Sequence, residues 1–123
     1  MRTTDAAATT ALLLALGFSE RLTVRDDSDP TVIVHAEYAL GESGGIMFGS
    51  IRNDGSALDS VGGNSIYVVV STEREVDRLY QEIVDMGHAI VRPVQTEPHG
   101  GREFDFRDHD GNSWGVGSYR GAP

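Results

Sequence analysis

The sequence predicts an α+β fold: two β-α-β-β-β modules forming a curved mixed sheet, a cup with both helices on its convex face. Three observations lead there. Gly17 and Gly87, each placed to close a helix, stand 70 positions apart. "FGS" at 48–50 and "VGS" at 116–118 stand 68 apart. After each of the two glycines come three short strand-like runs: "FSERLTV", "TVIVHAEYAL" and "GGIMFGS" after Gly17, and "HAIVRPV", "GREFDFRD" and "NSWGVGS" after Gly87. One four-stranded half cannot bury its own faces, whereas two halves joined edge to edge make a concave surface of the kind that holds ligands.

The elements follow in order. "MRTT" leaves room for only a clipped first strand. The next stretch, through "ALLLALG", reads as an amphipathic helix that buries Leu12, Leu13 and Leu16. Its apolar run, Ala11 to Leu16, is shorter than the ~7–15 residues of a signal-peptide core. Module 1 is placed at about 1–52, and the Gly/Ser/Asp-rich segment 53–64 is the joint. Module 2, about 65–120, opens with the strand "SIYVVVS". Thr72 and Glu75 form a capping box. Val76, Leu79, Tyr80, Ile83 and Met86 follow at helical spacing, and Gly87 is the C′ residue.

Composition removes several functional classes. The 123 residues suffice for one domain, and the net charge is −9. A surface that acidic repels phosphate backbones and anionic membranes, so neither nucleic acid nor membrane is an expected partner. With no cysteine, thiol catalysis, thiolate metal sites and disulfides are excluded. A cytoplasmic location is expected.

"DHDGN" poses the question of a calcium loop. With Gly111 at loop position 6, Asp108 and Asp110 fall at positions 3 and 5, but Phe106 and Gly117 fall where positions 1 and 12 need oxygen donors. The better reading is a tight turn between two strands, built on Asp110, Gly111 and Asn112.

Strand alternation gives the candidate site residues. Val32, Val34, Ala36, Tyr38 and Leu40 are expected to face the helices, which turns Ile33, His35, Glu37 and Ala39 toward the cup. His35 and Glu37, two apart on one face, could be two metal ligands or an acid/base pair. A third ligand is not apparent, and lining a ligand cup without metal is the preferred reading. In "REFDFRD", Phe104 and Phe106 are expected in the core. Glu103 and Asp105 then face the cup, or else pair with Arg102 or Arg107. Met47, Tyr67 and Trp114 complete the ligand-binding candidates, although a lone Trp is more often a core filler. Gly115 and Gly117 mark a close approach of a ligand or chain, or an edge. His99 and His109 are placed in solvated turns.

Four stretches together resemble the vicinal oxygen chelate superfamily, which includes glyoxalase I, extradiol dioxygenases, fosfomycin-resistance enzymes and bleomycin-binding proteins. They are "ALGFSERL", "VIVHAEYALGESGGIMFGS", "VDRLYQEIVDMGHAIVRP" and "GGREFDFRDHDGNSWGVGSY". The likeness is greatest to small bacterial glyoxalase-like proteins. The resemblance implies the fold without implying the reaction. Metal-dependent members place a His or Glu on the first strand of a module and a Glu just after the D-G-N turn. Here those places read "MRTT", "NSIYVVV" and Gly115, so no metal and no cofactor are expected. The resemblance also implies a homodimer, as does the short first strand, because an unpaired edge invites another chain.

The expected function is therefore a metal-free small-molecule binding protein of the glyoxalase/bleomycin-resistance type, holding an aromatic or cationic compound. One alternative is a metal-dependent lyase or dioxygenase of the same superfamily. A second is a non-catalytic regulatory or partner module. Whether the chain catalyses a reaction is left open.

Overall fold

The structure, a computed structural model, describes residues 1–123. The chain divides into two compact units, Met1–Gly62 and Gly63–Pro123, each taken by itself below. No helix is long and apolar enough to cross a membrane.

The first unit runs β1 (Arg2–Thr3), α1 (Ala6–Ala15), β2 (Ser19–Arg25), β3 (Ile33–Leu40) and β4 (Gly44–Ser50). Its sheet has the order β1-β4-β3-β2, with β1 parallel to β4 and the other pairs antiparallel. The first strand is clipped, as expected, to two residues that pair with Gly49 and Ser50. Asp5 caps α1 by accepting from the Ala8 N–H at 3.0 Å. Gly17 ends the helix at φ 99°, a conformation a side chain would resist. Leu12, Leu13 and Leu16 are buried as expected. The helix is not cleanly amphipathic, however: its sequence is apolar all round, and Leu14 is 53% exposed.

Of the segment 53–64, the part up to Gly62 belongs to this unit, while Asn64 bonds to Asn112 and Ser113 of the second. Asp59 accepts from the backbone N–H groups of Arg52 and Asn53 and lies 3.6 Å from the Arg2 guanidinium. Val61 bridges to Arg2.

The second unit repeats the plan: β5 (Ser65–Val69), α2 (Glu73–Asp85), β6 (Ala89–Thr96), β7 (Arg102–Arg107) and β8 (Ser113–Gly117), in the sheet order β5-β8-β7-β6. Thr72 caps α2 by accepting from the Glu75 N–H at 3.1 Å, which is one half of the expected capping box. The Glu75 carboxylate pairs with Arg78. Val76, Leu79 and Ile83 are buried, and Tyr80 meets Phe104 edge-on at 5.1 Å. Met86, the C-cap, is 38% exposed and leaves the predicted apolar stripe.

The face assignment of β3 needs one correction. Ala36 and Tyr38 are buried as expected, but Ile33 is buried and Val34 is exposed. The cause is a bulge: Val24 pairs with His35 and Arg25 with Ile33, so Val34 is an extra residue on β3. One inserted residue reverses the alternation on its N-terminal side.

Candidate functional site

In each unit the sheet face away from the buried residues is solvent-exposed and carries polar groups. On the first unit, Leu22 and Val24 of β2 stand across from Glu37 and His35 of β3, and Met47 of β4 pairs with Glu37. Cross-strand partners share a face, so these five side chains form one patch. His35 Nε2 lies 3.0 Å from Glu37 Oε1, with both side chains about 40% exposed. Leu22, Val24 and Met47 are exposed apolar side chains around that pair. His35, Glu37 and Met47 thus come together where alternation put them.

The second unit carries the denser arrangement. Arg92 of β6 holds three carboxylates: Nη1 to Glu97 Oε1 at 2.5 Å, Nη2 to Glu103 Oε1 at 2.5 Å, and Nε to Asp105 Oδ2 at 3.0 Å. Neither Arg102 nor Arg107 takes this part; Arg102 pairs with Asp77 on α2. Tyr67 of β5 donates its hydroxyl hydrogen to Glu103 Oε2 at 3.0 Å. Burial, then the bond to this carboxylate, push the phenol up to about 12, so it stays protonated and donating at neutral pH.

Two glycines make room for that ring. Tyr67 pairs with Gly115, which pairs in turn with Asp105, and Glu103 pairs with Gly117. A Cβ at Gly115 would come within 2.9 Å of Tyr67 Cδ2 and 3.1 Å of Asp105 Oδ1. At Gly117 it would collide with the Tyr67 hydroxyl and approach the Glu103 Cβ to 2.9 Å. The close approach expected at these glycines is made by the chain's own tyrosine. Beside it a cavity of about 380 Å³ is lined by Ser65, Tyr67, Val91, Asp105, Ser113 and Gly115, with Ile66, Phe106 and Trp114 behind them. That volume is within the range of small-molecule sites.

Trp114 is not part of the exposed face. It is 1% exposed, stacks on Phe106 at 6.1 Å and donates its indole N–H to Asp108 Oδ2 at 2.9 Å. Alternation puts it opposite Gly115, in the core with Phe104 and Phe106.

The "DHDGN" turn is organised by Asp108. Its Oδ1 accepts from the N–H groups of Asp110 and Asn112, and its Oδ2 from Asn112 Nδ2 and the Trp114 indole, at 2.9–3.0 Å. Asn112, fully buried, accepts in turn from Asn64 Nδ2 at 2.8 Å. Four N–H donors converge on the carboxylate that a calcium ion would need, so the turn is structural.

His109 is exposed, as expected of a turn residue. It contacts Asp110 at 3.2 Å, and its ring lies 6.4 Å from that of His88. Burial, then His109, hold the His88 pKa below its usual value, while Asp108 opposes the shift. A depressed imidazole binds fewer protons folded than unfolded, so stability falls as pH drops through about 6.5 and below. Melting temperatures at pH 7.5 and pH 5.5 should differ, and His88→Gln should shrink that difference. An unchanged difference would assign the acid sensitivity to another group.

The positions at which the resemblance places metal ligands do not fit a metal. β1 offers Arg2 and Thr3, β8 offers Gly115 with no side chain, and β5 offers Tyr67, whose protonated phenol is committed to Glu103. Within neither unit do three His, Asp or Glu side chains form a metal-binding group. The three carboxylates nearest to such a group are already turned onto Arg92.

A paired-module α+β fold with polar exposed sheet faces is the class of protein that these observations define. The chain belongs to the glyoxalase/bleomycin resistance protein/dioxygenase superfamily, whose family model matches residues 1–116. Among solved structures it is similar to TioX from Micromonospora sp. ML1, with 27% identity, coverage of 95% of this chain and 92% of that one, and a TM-score of 0.70. It shares the fold of the PhnB protein of Bacillus cereus, at 20% identity, 94% and 93% coverage and a TM-score of 0.70. A mutant of the fosfomycin resistance protein FosX from Listeria monocytogenes, complexed with Mn(II) and 1S,2S-dihydroxypropylphosphonic acid, also shares it, at 19% identity, 96% and 86% coverage and a TM-score of 0.66. No curated protein matches.

Arg92 and Glu97 are the site residues that sequence reasoning missed. The signal for Arg92 was there, since a strand preceding "REFDFRD" in an antiparallel hairpin can put a guanidinium opposite Asp105. Two irregularities in that pairing, one spanning Pro93, hid the register.

Proposed function

We propose that the chain is a small-molecule binding protein of the glyoxalase/bleomycin-resistance type that acts without a metal and holds a compound both aromatic and cationic. The observation that carries this reading is the exposed face of the second unit, where three carboxylates share one guanidinium beside the tyrosine ring of Tyr67. Of the three, Asp105 lines a cavity of suitable size, and its Oδ1 is turned to the Gly115 side. A cation there gains a carboxylate and the face of a tyrosine ring together. The exposed His35, Glu37, Met47, Leu22 and Val24 patch of the first unit has the same mixture of acid and apolar surface.

The test is calorimetric titration with two planar aromatic probes, cationic ethidium and neutral acridone. Ethidium should bind more tightly. Equal affinities, or a preference for acridone, would contradict the reading.

The competing reading is a metal-dependent enzyme using His35 and Glu37. Elemental analysis of purified protein separates the two. We expect no stoichiometric zinc, nickel, iron or manganese; one metal per chain, lost in His35→Ala, would favour the enzyme.

We also propose a homodimer in solution. β1 pairs with β4 at Gly49 and Ser50 and Met1 reaches on to the Met47 carbonyl, but no strand of this unit pairs with 44–46 on that side, and an unpaired edge invites another chain. Sedimentation equilibrium should give a mass near twice 13.3 kDa; a single species at 13.3 kDa would refute it.

A further inference from the structure

A second cavity, of about 430 Å³, shares Tyr67 with the one described above, and residues 119–121 build part of its wall. It is lined by Tyr67, Val69, His99, Glu103 and the segment Tyr119–Gly121. Three of its walls are rings. His99 meets Tyr119 edge-on, with centroids 5.2 Å apart and planes at 82°, and the Tyr67 and Tyr119 rings are both part-exposed. Val69, also exposed, adds an apolar surface.

The chain end is held in place by several contacts. The Ser118 N–H donates to the Arg102 carbonyl at 3.1 Å, and the Arg102 N–H donates to Ser118 Oγ at 3.0 Å. The Tyr119 ring is set against His99, and its backbone passes over Gly101. Gly101 permits this path, because a Cβ there would come within 3.0 Å of the Tyr119 nitrogen. Tyr67, which lines both cavities, is held by its hydrogen bond to Glu103.

The charges divide the two compartments. Both oxygens of Glu103 are engaged, one by Arg92 and one by Tyr67, and Arg120 also lines the second cavity, so a cation there meets a positive side chain and no carboxylate oxygen that lacks a donor. Asp105, on the other side, uses only Oδ2 for Arg92. The first compartment therefore suits a cation, and the second suits a flat, uncharged ring.

We infer that the Tyr119–Gly121 segment is a binding element, and that the second compartment takes the aromatic end of an extended ligand whose cationic end lies beside Asp105. This rests on the proposed function and specifies the ligand class: a planar aromatic system joined to an ammonium-type cation.

The experiment measures ethidium and tetraethylammonium binding to the full chain and to Tyr119→Ala, Tyr119→Phe and Asp105→Asn. Tyr119→Ala should weaken ethidium about fivefold to tenfold, the worth of one ring contact, and leave tetraethylammonium unchanged. Tyr119→Phe, which keeps ring and backbone, should retain ethidium binding. Asp105→Asn should weaken both cations. If Asp105→Asn weakens both cations but Tyr119→Ala leaves ethidium binding intact, this inference falls and the proposed function stands. Equal losses of both cations in Tyr119→Ala would also overturn it. Absence of ethidium binding to the unaltered chain would overturn both.

Discussion

Asp108→Ala should destabilise the protein by about 3–5 kcal/mol, a large part of the ~5–15 kcal/mol that holds a domain together. The side chain accepts four hydrogen bonds, three of them from the side chain and backbone of Asn112 and from the Trp114 indole, and both of those residues are buried. Removing the acceptor strands those donors away from water, and each stranded donor costs about 1–3 kcal/mol. Relaxation of the turn recovers some of this, which keeps the total below a simple sum. Chemical denaturation should show the lower midpoint, and near-ultraviolet circular dichroism should show a loosened Trp114. A variant within 1 kcal/mol of the parent would mean that water replaces the carboxylate freely, and that the turn is less closed than its hydrogen bonds imply.

Gly117→Ala should cost about 1–3 kcal/mol, the usual range for overpacking. The new methyl group falls on the Tyr67 hydroxyl and crowds the Glu103 Cβ at 2.9 Å. Tyr67 can swing away, but only by giving up its bond to Glu103. Two results should follow together. The Tyr67 phenol should fall from about 12 toward its ordinary value of 10, visible in a spectrophotometric tyrosine titration. The stability cost should shrink in a Tyr67→Phe background, where the colliding oxygen is gone, and a double-mutant cycle should then show positive coupling. Additive losses with an unmoved phenol would show that the ring does not lie across Gly117.

The repeat was legible because both modules carry the same signals at the same spacing. Gly17 and Gly87 close equivalent helices, and Thr72 with Glu75 opens the second. These are local signals, set by backbone geometry and capping, and they survive any tertiary context. Face assignments were legible only where strands are regular. Phe104, Phe106, Glu103 and Asp105 fell as alternation required, because β7 pairs with β8 without interruption. Ile33 and Val34 exchanged places because a bulge adds one residue. Arg92 went unseen because its register is set by two irregularities that no short pattern encodes. Trp114 was held among the site candidates for its chemistry, but its indole N–H is satisfied by Asp108, a contact formed only when the turn closes. The part played by Tyr119 is a tertiary fact too, since it meets His99 and lies over Gly101 only once the strands are paired.

If the charge on the exposed face of the second unit selects the ligand, the ratio of ethidium to acridone affinity must change between Asp105→Asn and the unaltered chain. Asp105 is about 39% exposed, so solvent screens its charge and the effect is modest. The account predicts that ethidium weakens about threefold to fivefold while acridone stays the same, so that the ratio falls by that factor. An unchanged ratio, with both probes weakened alike or neither affected, would contradict it.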